Sequence, residues 1–236
     1  NGNFRWAITY PATPVTLVNK GTLKMSVVPI DFPDVPATTS ASILYGDEIK
    51  KIVDWFDAFS NGKLNIKIET QNKWYRALKS SDFYDVGEGV NFNKEGKGTG
   101  ALVQEYIDLS KADFNFLDAD AILFVYPEKT PNIRNSFAEN LPVVINGVSR
   151  TPFEMSLASA NREYGPAWIW TVHEMLHYMG LAMHFPVNPP SWGIEWGGFT
   201  KTPVLQPWNQ GILDWLNPDQ YYCVEKSKLS KTLLTL

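Results

Sequence analysis

The chain has 236 residues, of which 44% are hydrophobic and 14% are aromatic, enough to bury the core of one domain or of two lobes that share a core. Its formal net charge is −4 and its Lys and Arg residues form no evident cluster, which argues against a nucleic-acid partner, because phosphates attract clustered basic side chains. No run approaches about 18 consecutive apolar residues, so no membrane span is expected. Cys223 is the single cysteine and therefore cannot form a disulfide within the chain.

A strand and a helix are predicted first. Residues 23–34 begin with apolar side chains at alternate positions, which predicts a strand that ends in a loop. Apolar side chains at helical spacing over 49–59 predict a helix. Asp47 and Glu48 favour its N-terminus, and the Ser-Asn-Gly sequence at 60–62 is expected to end it.

Three more strands and a second helix are predicted before residue 147. Apolar and polar residues alternate over 64–69, which indicates a half-buried strand. Apolar residues at helical spacing over 102–109 predict a helix, and the continuous apolar run at 121–126 is typical of a central strand. Residues 142–146 form a further candidate strand that ends in an Asn146-Gly147 turn.

A third helix is predicted between Gly165-Pro166 and Gly180. Proline is favoured at the first helical position and glycine ends helices in the left-handed conformation, so the helix should span about residues 166–179. Its side chains are apolar on nearly every side, which predicts that it is buried in the core. A buried helix makes a rigid platform for ligand side chains.

All three histidines of the chain lie in one short window, and two of them lie on this helix. His173, Glu174 and His177 form an HExxH pattern, whose i, i+4 spacing places both imidazoles on one face, where they can bind one zinc ion while Glu174 faces its water. A lone histidine on an apolar face is more often a satisfied core residue, but burying two imidazoles and a carboxylate without a metal or a charge partner costs several kcal/mol. The pattern therefore predicts a zinc site with Glu174 as its general base.

A catalytic zinc site needs a third protein ligand and an open position for water. His184 is the candidate we favour; its alternative role is that of a solvated loop histidine. Glu195 is the rival, because zinc also accepts carboxylate oxygens, although the Gly and Trp residues around it indicate a loop. Otherwise Glu195 is a hydrogen-bond acceptor beside the site or a solvated loop residue.

The composition changes after the predicted metal-binding helix. Residues 185–211 are rich in Pro, Gly and Trp, which predicts irregular loops, and a short helix is expected from about Pro207 to Leu216. We therefore expect one catalytic domain over 1–236, with an upper lobe of about 1–180 and a small irregular lower lobe of about 181–236.

Several segments resemble secreted zinc metalloproteases of the metzincin clan, and more narrowly those similar to the bacterial immune inhibitor A type. These segments are VVPIDFPD at 27–34, FSNGKLNIKI at 59–68, NKWYRAL at 72–78, HEMLHYMGL at 173–181 and ILDWLNPDQ at 212–220. HEMLHYMGL is the specific one, since it follows the clan pattern HExxHxxGxxH through Gly180. The clan's third ligand falls at Met183, one residue before His184, and Glu195 stands roughly where the clan carries a methionine beneath the metal.

The resemblance implies an α/β (α+β) metzincin-like fold, in which a twisted mixed sheet lies above the active-site helix. It also implies a secreted zinc endopeptidase, in which zinc-bound water attacks a peptide carbonyl while Glu174 takes and returns the proton. The substrate is then a protein or peptide that pairs with an edge strand, here expected between Asn140 and Ser159. Neither nucleic acid nor a membrane span is part of this interpretation.

Two other functions stay open at this point. One is a zinc-binding surface or adhesion module without turnover, against which Glu174 argues, because a structural zinc site has four protein ligands and no use for a base. The other is a zinc hydrolase that acts on a non-peptide amide. Calcium has no support, because acidic residues such as Asp31, Asp34, Asp118 and Asp120 show no calcium-loop spacing.

Overall fold

A computed structural model describes the chain over residues 15–84, 99–127, 130, 137–157, 166–181, 194 and 203–220. Its helices are α1 (Ala41–Phe59), α2 (Thr99–Ser110), α3 (Ala167–Tyr178) and α4 (Pro207–Ile212). Its strands are β1 (Gly21–Asp31), β2 (Leu64–Thr70), β3 (Tyr75–Arg76), β4 (Ala121–Val125), β5 (Ala138–Glu139), β6 (Val143–Ile145), β7 (Val148–Arg150) and β8 (Phe153–Leu157). None of the helices in these ranges combines the length and the apolar character that crossing a membrane requires.

The main sheet is mixed and has the order β2-β1-β4-β8-β5, with β3 paired to the end of β1. Strands β2, β1, β4 and β8 are mutually parallel, whereas β5 runs antiparallel to β8 at the edge. Strands β6 and β7 form a separate antiparallel hairpin. The expected mixed α/β architecture with a mixed sheet is thus confirmed.

Helices cover both faces of the main sheet, which explains why its central strand is apolar throughout. Side chains of β4 alternate between the faces: Leu123 and Val125 enter a core beneath α1 and α3, whereas Ile122 and Phe124 enter a core beneath α2. We call these the α3-side core and the α2-side core. All four of these side chains are fully buried.

Most elements lie where the sequence predicted them. Strands β1, β2, β4 and β6 and helices α2 and α3 match their predicted segments within a few residues. Asn146 and Gly147 have φ angles of 51° and 81°, as the predicted tight turn requires. Helix α4 is shorter than predicted, since it ends at Ile212.

The predicted start of α1 is wrong. The helix begins at Ala41, after an extended Ser40, so Asp47 and Glu48 lie in its second turn and not at its N-terminus. The Glu48 carboxylate instead accepts a hydrogen bond from the backbone N–H of Trp168 at 2.8 Å. Glu48 therefore caps the N-terminus of α3 and not that of α1, and this role follows from the packing of the two helices.

The position of the edge strand also needs correction. In the stretch between Asn140 and Ser159 the structure places the β6–β7 hairpin and β8. In the main sheet, β8 pairs with β4 on one side and with β5 on the other. Within the described chain the main sheet ends on this side at β5, which precedes that stretch, and on the other side at β2. Strand β8 was missed by sequence analysis because two of its five positions, Glu154 and Ser156, are polar yet fully buried.

The described part of the C-terminal segment packs on the α3-side core. Leu205, Leu213 and Trp215 are buried there, and the Trp215 ring lies edge-on to Phe56 of α1, with ring centroids 6.0 Å apart. The division into lobes near residue 180 stays a prediction. Two residues named in the sequence analysis, Met183 and Cys223, lie outside the described residues.

Candidate metal centre

Helix α3 has a well-defined N-terminus. Pro166 is extended, with φ −61° and ψ 134°, and its carbonyl accepts the first hydrogen bond of the helix, from Ile169 N–H. The first N–H groups of a helix lack partners within the helix and carry its positive dipole end. The Glu48 carboxylate accepts a hydrogen bond from one of these N–H groups, that of Trp168, and its negative charge interacts favourably with the positive end of the helix dipole.

The predicted burial of α3 is confirmed. No residue from 167 to 178 is exposed, and Ile169, Val172, Met175 and Leu176 belong to the α3-side core. Burying an aliphatic side chain of this size stabilises the fold by about 2 kcal/mol. The helix is therefore held firmly under the sheet, and its polar side chains have little freedom to move.

The C-terminus of α3 forms a Schellman motif, which turns the chain back toward His177. Leu181 N–H donates to the carbonyl of Leu176, and Gly180 N–H donates to the carbonyl of His177. Gly180 has a φ of 111°, a value that other residues rarely adopt, so glycine is required here. The motif brings the Leu181 carbonyl within 2.7 Å of His177 Nδ1.

The two histidines of the helix face each other. The Nε2 atoms of His173 and His177 are 3.0 Å apart, and the planes of the two rings are nearly perpendicular, at 82°. His173 Nδ1 lies 2.9 Å from the carbonyl oxygen of Ile194, and His177 Nδ1 lies 2.7 Å from that of Leu181. Both outer nitrogens thus contact backbone carbonyls, and both inner nitrogens converge.

This arrangement fixes the tautomer of each ring. A carbonyl oxygen can only accept, so each Nδ1 carries the hydrogen, and in the neutral ring each Nε2 then presents a lone pair. Two lone pairs at 3.0 Å repel each other unless a cation or a proton lies between them. Metal-binding histidines commonly donate their other N–H to a backbone carbonyl, as His173 and His177 do.

The spacing of the two nitrogens fits zinc. Two nitrogen ligands of a tetrahedral zinc ion, each at about 2.05 Å, are about 3.3 Å apart. The observed separation of His173 Nε2 and His177 Nε2, 3.0 Å, differs from that by only a few tenths of an ångström.

Glu174 lies beside this pair in a poorly solvated position. Burial raises its pKa to about 7, from an ordinary value of 4.5. A divalent cation held by His173 and His177 would favour the carboxylate form and lower that pKa. With such a cation bound, Glu174 would be a carboxylate near neutral pH, which is the form that a general base requires.

Tyr178, which sequence analysis did not single out, connects the helix to the edge of the sheet. Its hydroxyl donates to the carbonyl oxygen of Ala138 in β5 at 2.7 Å, and its ring packs on Phe153 of β8, with centroids 4.1 Å apart. Burial raises its pKa to about 12, and three nearby carboxylates add to the shift: Glu139, Glu174 and Glu154. The edge strand and the histidine pair are thus parts of one region.

The third ligand is not settled by these contacts. His184 and Glu195 both lie outside the described residues, and within those residues no group of three or more His, Cys, Asp or Glu side chains is placed to hold a metal. Ile194, next to Glu195 in sequence, is fully buried and contacts His173. The backbone of Ile194 therefore lies beside the histidine pair.

No family model and no curated protein matches this chain in sequence. The metzincin resemblance, the zinc ion and the assignment of Glu174 as a base therefore stay predictions.

Proposed function

We propose that the chain is a secreted zinc-dependent endopeptidase with a metzincin-like fold, in which His173 and His177 are metal ligands. The observation that carries the proposal is the convergence of the two Nε2 atoms at 3.0 Å while both Nδ1 atoms donate to backbone carbonyls. His184 is the third ligand that we favour, and Glu195 is the alternative.

The side chains around the histidine pair suit amide hydrolysis. A zinc ion, when bound, polarises the scissile carbonyl and brings the pKa of its water toward about 7. Glu174 accepts a proton from the attacking water and passes it to the leaving amine nitrogen. The firm packing of α3 keeps the carboxylate and the two imidazoles in fixed relative positions, which lowers the entropic cost of reaching the reactive arrangement.

The sheet offers a place for an extended substrate. Strand β5 is a short antiparallel edge beside the C-terminal end of α3, and an exposed edge can accept a peptide as an additional strand. A peptide held there would lie beside Tyr178, the residue that follows His177 in α3. This position supports an endopeptidase, which binds an extended chain on both sides of the bond that it cleaves.

The proposal is tested with the variant Glu174→Gln. We expect it to retain bound zinc and a cooperative unfolding transition while its hydrolysis of casein falls by a factor of about 100 or more, the usual contribution of a positioned general base. Asp54→Asn, which removes one negative charge from the exposed surface of α1, is the matched control and should keep full activity.

Other outcomes point to the other two functions. Zinc binding by the parent protein without hydrolysis of any protein, peptide or other amide substrate would indicate a non-catalytic zinc-binding module. Hydrolysis of other amides, but not of casein or peptides, would indicate a different zinc hydrolase. Equal rates for the parent protein and Glu174→Gln would show that Glu174 is not the base.

A further inference from the structure

Two glutamates lie directly opposite each other at the edge of the main sheet. Glu139 of β5 pairs with Glu154 of β8 in the antiparallel register, so their side chains project from the same face. Glu154 is in register with Ile122, whose side chain enters the α2-side core, so this is the face away from α3. Like charges directly opposite each other on a sheet destabilise it, so an acidic pair here requires an explanation.

Glu154 is fully buried, and no cationic side chain among the described residues neutralises its carboxylate form. Its Oε2 accepts the Leu141 N–H at 2.8 Å, but its Oε1 is buried without a hydrogen-bond partner among the described residues. No ion pair in the described part of the chain involves Glu154 or Glu139. A buried carboxyl group is expected to be paired, neutral or bound to a cation.

Burial raises the pKa of both groups. The pKa of Glu139 rises to about 7, and that of Glu154 rises to about 8, with the neighbouring Glu139 charge adding to the effect of burial. A cation placed against Glu139 would favour ionisation of both carboxyls. Once ionised, this pair is less hydrated than an exposed carboxylate and therefore attracts a cation more strongly.

The pair lies where a substrate strand is expected. The Phe137 carbonyl accepts from Ser156 N–H and so faces β8, which makes the next carbonyl, that of Ala138, face away from β8. The Tyr178 hydroxyl donates to this outward carbonyl, so the outer edge of β5 lies against the end of α3. Glu139 is only half-buried and can be reached from that edge.

We propose that Glu139 and Glu154 form an acidic subsite on β5, which binds the cationic side chain of a Lys or Arg residue in a peptide paired with that edge. A peptide residue opposite Glu139 would have its Cβ about 5 Å away on the same face, within reach of a long basic side chain. Glu139 makes the contact, and the bound cation favours ionisation of Glu154 behind it. The proposal takes its substrate class, a peptide, from the function proposed above.

Binding of short peptides tests the subsite independently of hydrolysis. Eight-residue peptides with one Lys at each successive position are compared with matched peptides that carry norleucine, which has a similar stem without the charge. Affinity for the zinc-loaded Glu174→Gln protein is measured by fluorescence anisotropy. We expect Lys at one position to bind about tenfold more tightly than norleucine, the contribution of one charge-assisted hydrogen bond.

Substitutions of Glu139 test whether the preference for Lys over norleucine depends on the acidic subsite. Adding Glu139→Gln should reduce the Lys-to-norleucine ratio to about one, and Glu139→Lys should favour a Glu-containing peptide at that position instead. Adding Asp54→Asn, an equal change of charge on α1, should leave the ratio at about ten. Circular dichroism confirms that each variant is folded.

The two proposals fail in different ways. A Lys preference that depends on Glu139, without hydrolysis by the parent protein, would support the subsite and contradict the peptidase. Hydrolysis of peptides without any Lys preference, a preference unchanged by Glu139→Gln, or no binding of any peptide would overturn the subsite.

Discussion

Replacing the buried Glu154 by Gln should change how stability depends on pH. The folded protein holds this carboxyl at a pKa of about 8, whereas its ordinary value is 4.5. Between these two values the folded state binds a proton that the unfolded state has released, so the free energy of unfolding falls as pH rises. Gln has no proton to lose, so Glu154→Gln removes this dependence.

The size of the effect follows from the shift. Each pH unit in this window changes the free energy of unfolding by about 1.4 kcal/mol, so the full difference between the parent protein and Glu154→Gln approaches about 5 kcal/mol from pH 4.5 to pH 8. Gln can keep the contact with Leu141 N–H, but it buries an amide group at a cost of about 1–3 kcal/mol that does not depend on pH. The slope against pH is therefore the diagnostic quantity.

Urea unfolding at half-unit steps from pH 5 to pH 9 measures this slope. Glu154→Gln should gain stability relative to the parent protein as pH rises, whereas Asp54→Asn, an exposed change on α1, should run parallel to the parent. Parallel curves for Glu154→Gln and the parent would refute the reasoning, because they would mean that Glu154 has the same charge in the folded and unfolded states.

Two further predictions concern the metal centre. If His184 is the third ligand, His184→Ala should weaken zinc affinity strongly, whereas Glu195→Ala should lower zinc affinity by a factor of about ten to a hundred at most. Competition with a chelator measures both affinities. A larger loss of affinity in Glu195→Ala than in His184→Ala would assign the role to Glu195. Gly180→Ala should lower the free energy of unfolding by about 1–2 kcal/mol, because φ is 111° there and the new Cβ would lie 3.3 Å from Val15 Cγ2. The same variant should weaken zinc binding about tenfold through the Leu181 contact with His177, and unchanged stability and affinity would contradict the role given to the motif.

The sequence predicted those strands and helices whose pattern depends on local periodicity. Strand β4 was recognisable because helices cover both faces of the sheet, which makes every position from 121 to 125 apolar. Strand β8 was not, because Glu154 and Ser156 are buried by tertiary contacts that alternation does not encode. The start of α1 was misplaced for a similar reason, since Glu48 contacts the backbone of another helix.

In the candidate site too, the local features were predictable from the sequence and the long-range contacts were not. The i, i+4 spacing of His173 and His177 is local to one helix, so their convergence was predictable. Gly180 also predicted the turn that brings the Leu181 carbonyl to His177. The contact from Ile194 to His173 spans 21 residues, and nothing in the sequence pattern indicates it.

Elemental analysis of the parent protein, purified without added metal, tests the central claim most directly. Two helix-borne imidazoles with one further protein ligand suit zinc better than magnesium or calcium, so the account predicts one zinc ion per chain. His177→Ala should contain little or none, because it removes one of the two converging nitrogens. A parent protein that contains no transition metal and takes up none on soaking in zinc would contradict the account.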